Sequence, residues 1–414
     1  MIKKSQRSEL IVSALGNVLM WYNYALFMPF LPILSKQFFP IDDVMLCSSV
    51  SFLALSTGLF ARPLGAAIFG PIGDKIGRGK AISLSILLMA VATFCIGFTP
   101  NYSRIGVWSP ILLIFFRILQ GASLGGGYTS AMVNLVELAP SNRRGFFGSW
   151  TDVGSQIGVL FSAQLLVILY FFFSESEIYN FSWRLPFIFS IILVPFAFTI
   201  SNKKEELECE AYKTPEKSII KMLCECKKEV MCTIAITAFS ATGFYTLLSF
   251  LPFYLEREGI LTLKETAVCC SYANIAVIFG ALTCGFLSDY LCRKIFIISG
   301  MIGVTIVTYL IFLTGEKTPN MWIIMHSIYG LFLGTYFGSR SAFFSEAFPK
   351  HIRCTGVSVS LSLGQAVVGG MTPITMNYCT SISPLFSIIP ITMVLVIGII
   401  AVNQIEDRTG KELL

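Results

Sequence analysis

Apolar stretches of about 20 residues, the length that crosses a bilayer as a helix, recur along the whole chain. Twelve spans are expected, near 10–34, 45–69, 80–99, 110–138, 146–173, 184–201, 230–255, 267–287, 295–314, 320–346, 355–379 and 384–403. A polar stretch of mixed sign over 202–229 divides them six and six. The pattern predicts an all-α integral membrane protein of 12 transmembrane helices in two pseudo-symmetric six-helix bundles. Residues 1–201 form the first bundle, 202–229 a cytosolic linker and 230–414 the second.

Charge placement orients this layout. Only 13% of the 414 residues are charged, against roughly a quarter in soluble domains. With both termini in the cytosol, 21 of the 30 Lys and Arg fall in cytosolic segments. Six lie on the other side, and Arg62, Arg117 and Arg340 lie within spans. Basic residues mark cytosolic loops, so the bias predicts N-in, C-in topology and an even number of spans. No basic face separates from the apolar runs, so nucleic acid is not an expected partner; the lipid bilayer is. The first apolar run is too long for a signal peptide and reads as a retained span. The twelve cysteines lack zinc-site spacing with His326 or His351, so neither metal nor cofactor is expected.

The polar turns repeat. "GPIGDKIGRGK" at Gly70 to Lys80 has a relative in "GFLSDYLCRK" at Gly285 to Lys294. Gly70 and Gly285, Asp74 and Asp289, and Arg78 and Arg293 are each 215 positions apart. "ELAPSNRRG" at Glu137 to Gly145 and "EAFPKHIRCTG" at Glu346 to Gly356 share an offset of 209. A duplicated six-span unit accounts for both offsets and predicts a cavity between the copies.

On these motifs the chain resembles the major facilitator superfamily. The hallmark Gly-x-x-x-Asp-x-x-Gly-Arg is matched by Gly70, Asp74, Gly77 and Arg78. "ARPLGAAIFGPIGDKIGRGK", "RILQGASLGGGYTSA" and "RRGFFGSWTDVGSQIG" are similar to the metabolite:proton symporter group, which includes proline/betaine transporters. The resemblance implies secondary active transport of a small polar solute across the inner membrane. It also implies a cytosolic gate. Asp74 can meet the positive end of a neighbouring helix. The expected gate residues are Gly70, Asp74, Arg78, Asp289 and Arg293, with Glu137, Arg143, Arg144, Glu346 and Arg353 as partners.

Charge inside a span is costly and usually functional. Arg117 lies deep in span four above Gly121, Gly125 and Tyr128; this reads as a cavity wall offering a cation to a solute carboxylate. Arg340 in span ten is the weaker counterpart, following Gly330, Gly334 and Gly338. Arg62 opens "RPLG" near the end of span two and is expected to reach the headgroups. Asn17, Trp21 and Tyr24 share a face of span one, and Gly243, Phe244, Tyr245 and Pro252 mark a bend in span seven. An aromatic wall with Arg117 suits a zwitterion such as proline or betaine; an organic anion is the rival.

Proton coupling is where the residues depart from the resembling group. Met20, Asn23 and Gly127 occupy positions that are acidic there, and none can titrate. Asp152, about two turns into span five, is the deep carboxylate that remains; His326 is a second candidate. Proton symport therefore stands beside an uncoupled facilitator, an exchanger, and a sensor or scaffold that moves no solute. An enzyme is not expected, because no paired cavity carboxylates or nucleophile–base pair appears.

Overall fold

The computed structural model describes residues 4–41, 44–193, 195, 225–313 and 318–413. Most of the expected linker and the end of the sixth expected span lie outside them. The described secondary structure is helical. Its main helices are α1 (Lys4–Ala25), α2 (Val44–Phe60), α3 (Arg62–Lys75), α4 (Arg78–Phe98), α5 (Trp108–Leu138) and α6 (Arg144–Phe172). After the undescribed segment come α7 (Lys227–Tyr245), α8 (Leu251–Arg257), α9 (Leu263–Leu287) and α10 (Arg293–Leu313). The last four are α11 (Pro319–Ala347), α12 (Arg353–Gly364), α13 (Thr372–Ile382) and α14 (Ile388–Gln404). Among the described residues nine helical spans are long and apolar enough to cross a membrane.

Local chemistry sets the breaks. Pro63 has no N–H to give and sits in the first turn of α3, so the helix restarts at Arg62. Gly77 turns the chain into α4 at φ +128°, a conformation that a side chain resists. Thr262 and Glu265 form a capping box at the start of α9. The expected bend in span seven is a π-helical turn, Thr246–Phe250, between α7 and α8. A second π turn, Gln365–Gly369, follows α12. Such turns often mark functional positions.

The glycine stripes correct one expectation. A methyl group on Gly121 would run into the Gly58 carbonyl, and one on Gly125 into that of Arg62. The stripe is a seam that seats α5 against α2 and α3, not a cavity wall. On α11, Gly330 and Gly334 meet the carbonyls of Ala273 and Val277 in the same way. These contacts are displaced from the first set by 209 positions on the glycine side and 215 on the carbonyl side. The duplication seen in the turns therefore extends to backbone packing.

Candidate functional site: a paired clamp and a buried charge cluster

Two carboxylates tie early helices to late ones. Asp74 accepts hydrogen bonds from the backbone N–H groups of Cys354 (3.1 Å) and Thr355 (2.8 Å), in the first turn of α12. Asp289 accepts from Gly145 (2.6 Å) and Phe146 (2.9 Å), in the first turn of α6. The first N–H groups of a helix lack intrahelical partners and carry partial positive charge, so a carboxylate satisfies both. Burial pushes the Asp289 carboxyl above the usual carboxylate range, with the Phe146 and Gly145 hydrogen bonds and Arg293 acting against it.

Arginines and glutamates complete each clamp. Arg78 pairs with Asp74 at 2.5 Å and holds Glu137 through Nε and Nη2, both at 3.2 Å. Arg353 reaches the same Glu137 at 2.7 Å. In the second copy, Arg293 lies 3.1 Å from Glu346 and 3.8 Å from Asp289, and Arg144 lies 3.7 Å from Glu346. Residues near the C-terminus add to this copy. Arg144 donates to the Lys411 carbonyl at 2.6 Å, and Asp407 accepts from the Lys294 N–H at 3.3 Å. Gly70 faces Thr355, and Gly145 packs on Gly285 and Ser288. Arg143 is exposed and forms none of these ion pairs, though its charge acts on the Asp289 carboxyl.

Midway along the helices lies a second charged group. Asp152 of α6 and Arg340 of α11 form a buried ion pair at 2.5 Å. The Tyr128 hydroxyl donates to Asp152 at 3.0 Å and lies 2.5 Å from Arg340 Nη2. Ser341 donates to the other carboxylate oxygen at 3.0 Å, and Ser240 accepts from Arg340 at 3.3 Å. Phe337 places its ring 4.3 Å from the guanidinium. Every lone pair and most N–H groups are thereby used, which is what a desolvated pair requires.

This cluster borders a cavity of about 20 Å³, space for a single water. Trp21, Gln156, Phe244, Tyr245 and Gln365 share its wall. Toward the end remote from the clamps lies a larger apolar cavity of about 210 Å³, lined by residues that include Phe52, Leu55, Val159, Leu248 and Phe253. The clamp end is thus bridged by hydrogen bonds, the centre is almost closed and the far end is hollow.

The structure brings Trp21, Tyr128, Tyr245, Asp152 and Arg340 of the expected site residues together. It sets Arg117, Asn17 and His326 apart. Arg117 is fully buried behind Tyr24 and Phe27, whose rings lie 4.6 and 4.3 Å from it, and it bonds to Gln120 and to the Tyr24 and Leu55 carbonyls. It lines neither cavity. Asn17 ties α1 to α6 through Thr151 and Ser155. The His326 ring bonds back to the Trp322 carbonyl in its own helix. Arg62 is also corrected: it does not reach headgroups but is 1% exposed and bonds to Gln365. Gln365, Ser240 and Ser341 escaped sequence reading because small polar residues in spans are common and carry no periodic signal.

A bridged end, a hollow end and a charged centre thus lie among repeated helices. The family model described as Major Facilitator Superfamily matches residues 13–373. The chain belongs to the major facilitator superfamily. A provisionally named proline/betaine transporter of Staphylococcus aureus (strain COL) is 30% identical, with 99% of this chain and 90% of that one covered. The "Glycine betaine/proline/ectoine/pipecolic acid transporter OusA" of Dickeya dadantii (strain 3937) is 29% identical over 89% of this chain and 76% of its own length. Among solved structures, the proton:xylose symporter XylE bound to 6-bromo-6-deoxy-D-glucose superposes with a TM-score of 0.78 at 16% identity, covering 100% of this chain and 98% of that one. The chain is therefore a multi-pass membrane protein of a transporter family, not an enzyme.

Proposed function

We propose that the protein is an inner-membrane symporter that carries a small zwitterion of the proline or betaine type together with a proton. Twelve helices, in bundles over 1–201 and 230–414 joined by a cytosolic linker over 202–229, rock about the central cavity. The described conformation is the one closed to the cytosol: the Asp74 and Asp289 clamps form the cytosolic gate, and the apolar cavity is the outward approach. Gly70, Arg78, Arg293, Glu137, Arg144, Glu346 and Arg353 serve that gate.

The observation that carries the coupling is the Asp152–Arg340 pair, which joins the two bundles at the cavity wall. Protonating Asp152 removes the charge that holds Arg340. The freed guanidinium then answers the solute's carboxylate, while Trp21, Phe244 and Tyr245 offer ring faces to its ammonium. The packing around Gly127 fits this reading of the departures at Met20 and Gly127. A Cβ on Gly127 would press on Met20 and Ser85, so Met20 fills the room an acidic side chain would need. The proton site has one location here, at Asp152.

Uptake of labelled glycine betaine and L-proline into proteoliposomes, with and without an acid-outside gradient, tests the reading. Stimulation by the gradient supports it. Uptake that ignores the gradient leaves a facilitator or exchanger, and uptake of 2-oxoglutarate in preference to both replaces the zwitterion by an organic anion.

A further inference from the structure

Three buried arginines lie at mid-depth, and their surroundings differ. Arg340 has Asp152. Arg117 has a glutamine, two backbone carbonyls and two aromatic faces. Arg62 has neutral neighbours alone: Gln365 Oε1, the Tyr245 hydroxyl beside it, and the faces of Trp21 and Tyr24, whose ring centres lie 5.5 and 5.7 Å away. Its Nε and Nη2 are buried without a hydrogen-bond partner, although the residue is only 1% exposed. A desolvated guanidinium short of acceptors is a costly arrangement that an incoming anion relieves. Gln365 opens the π turn Gln365–Gly369, and both Gln365 and Trp21 line the central cavity.

We infer that Arg62 receives the carboxylate of the solute, which displaces the Gln365 amide and so loosens α3 from the π turn that follows α12. Arg62 is then a specificity-determining residue, and Gln365 is a neutral place-holder that keeps the cation covered while the site is empty. The inference rests on the proposed reading that the solute bears a carboxylate. It divides the labour with Arg340, which answers the same group once Asp152 is protonated. The bidentate grip of a guanidinium on a carboxylate gives the exchange its direction, since an amide oxygen offers one acceptor and a carboxylate two.

Uptake of labelled glycine betaine into proteoliposomes, with unlabelled betaine or choline as competitor, tests this. Choline keeps the trimethylammonium and has an alcohol in place of the carboxylate. The wild type is expected to prefer betaine by at least about tenfold, the scale of one charge-assisted hydrogen bond. In Arg62→Gln, betaine affinity falls by about tenfold or more and the preference over choline shrinks to about threefold or less. Gln365→Ala leaves Arg62 uncovered and keeps or improves betaine affinity, whereas Gln365→Glu supplies a tethered carboxylate and lowers it by about tenfold. An unchanged betaine-to-choline ratio in Arg62→Gln overturns the inference while leaving the transport reading intact. Should that variant fail to insert, equal effects of Gln365→Ala and Gln365→Glu overturn it. A wild type that takes up neither betaine nor proline removes the transport reading and this inference together.

Discussion

The clamp end and the charged centre follow opposite rules. At the clamp end the main contacts come in two copies. Asp74 with Cys354 and Thr355 repeats as Asp289 with Gly145 and Phe146, and the Arg78–Glu137–Arg353 chain repeats as Arg293–Glu346–Arg144. Each acid or glycine is displaced by the offset already visible in the sequence. At the centre the copies disagree. The position 209 after Asp152 is Leu361, the one 209 before Arg340 is Ala131, and the one 215 after Arg62 is Val277. Symmetry serves a motion that two similar lobes share; chemistry sits where the symmetry has been broken. On the proposed reading, a single solute and a single proton need one site, not two.

The largest break in that contrast comes from splitting the central pair. Asp152→Ala leaves Arg340 buried and uncompensated, and removing one partner of a buried pair costs about 3–5 kcal/mol. A clear drop in the melting temperature of the purified protein is expected. The double variant Asp152→Asn, Arg340→Gln recovers most of it, because two neutral partners remain, yet it does not respond to a pH gradient. A double variant as unstable as the single one would mean that the charges matter for the fold alone.

The clamps come next. Asp74→Asn and Asp289→Asn each weaken charge-assisted hydrogen bonds to two backbone groups, about 1.5–3 kcal/mol against the closed end. Cysteine accessibility at the clamp should rise about tenfold or more in either variant, and by similar factors if the copies are equivalent. The copies differ in their glycines. A side chain on Gly285 would meet Ser149 more closely than one on Gly70 would meet Thr355. Gly285→Ala should therefore open the clamp end more than Gly70→Ala in the same assay; the reverse order would contradict the packing described.

Smaller still is the C-terminal strap. It touches the second clamp through Lys411, Asp407 and Thr409. Truncation after Gln404 should loosen the Asp289 clamp while leaving Asp74 protected, seen as labelling of cysteines placed beside each. At the bottom of the scale, exposed Arg143→Ala should change uptake and stability by less than about 0.5 kcal/mol.

The sequence made the repeated part legible and blurred the unique part, for a physical reason. Asp74, Arg78 and Glu137 stand in polar turns against apolar spans, so their spacing and offsets are easy to see. Asp152 was also visible, as a carboxylate where none is affordable. Partnership was not. Arg117 looked like the solute's cation because it lies deep and heads a glycine stripe, yet Tyr24, Phe27 and Gln120 enclose it, and the stripe seats a helix. Arg62 looked peripheral because only its distance along span two was known. Its burial depends on Gln365, 303 positions away. Contacts of that range leave no periodic trace.

The central claim is that one carboxylate, Asp152, carries the proton. Glycine betaine uptake into proteoliposomes containing Asp152→Asn, with an acid-outside gradient imposed, tests it most directly. The variant should exchange internal for external betaine and show no stimulation by the gradient, while the wild type is stimulated. A variant stimulated as strongly as the wild type would place the proton elsewhere and contradict the account.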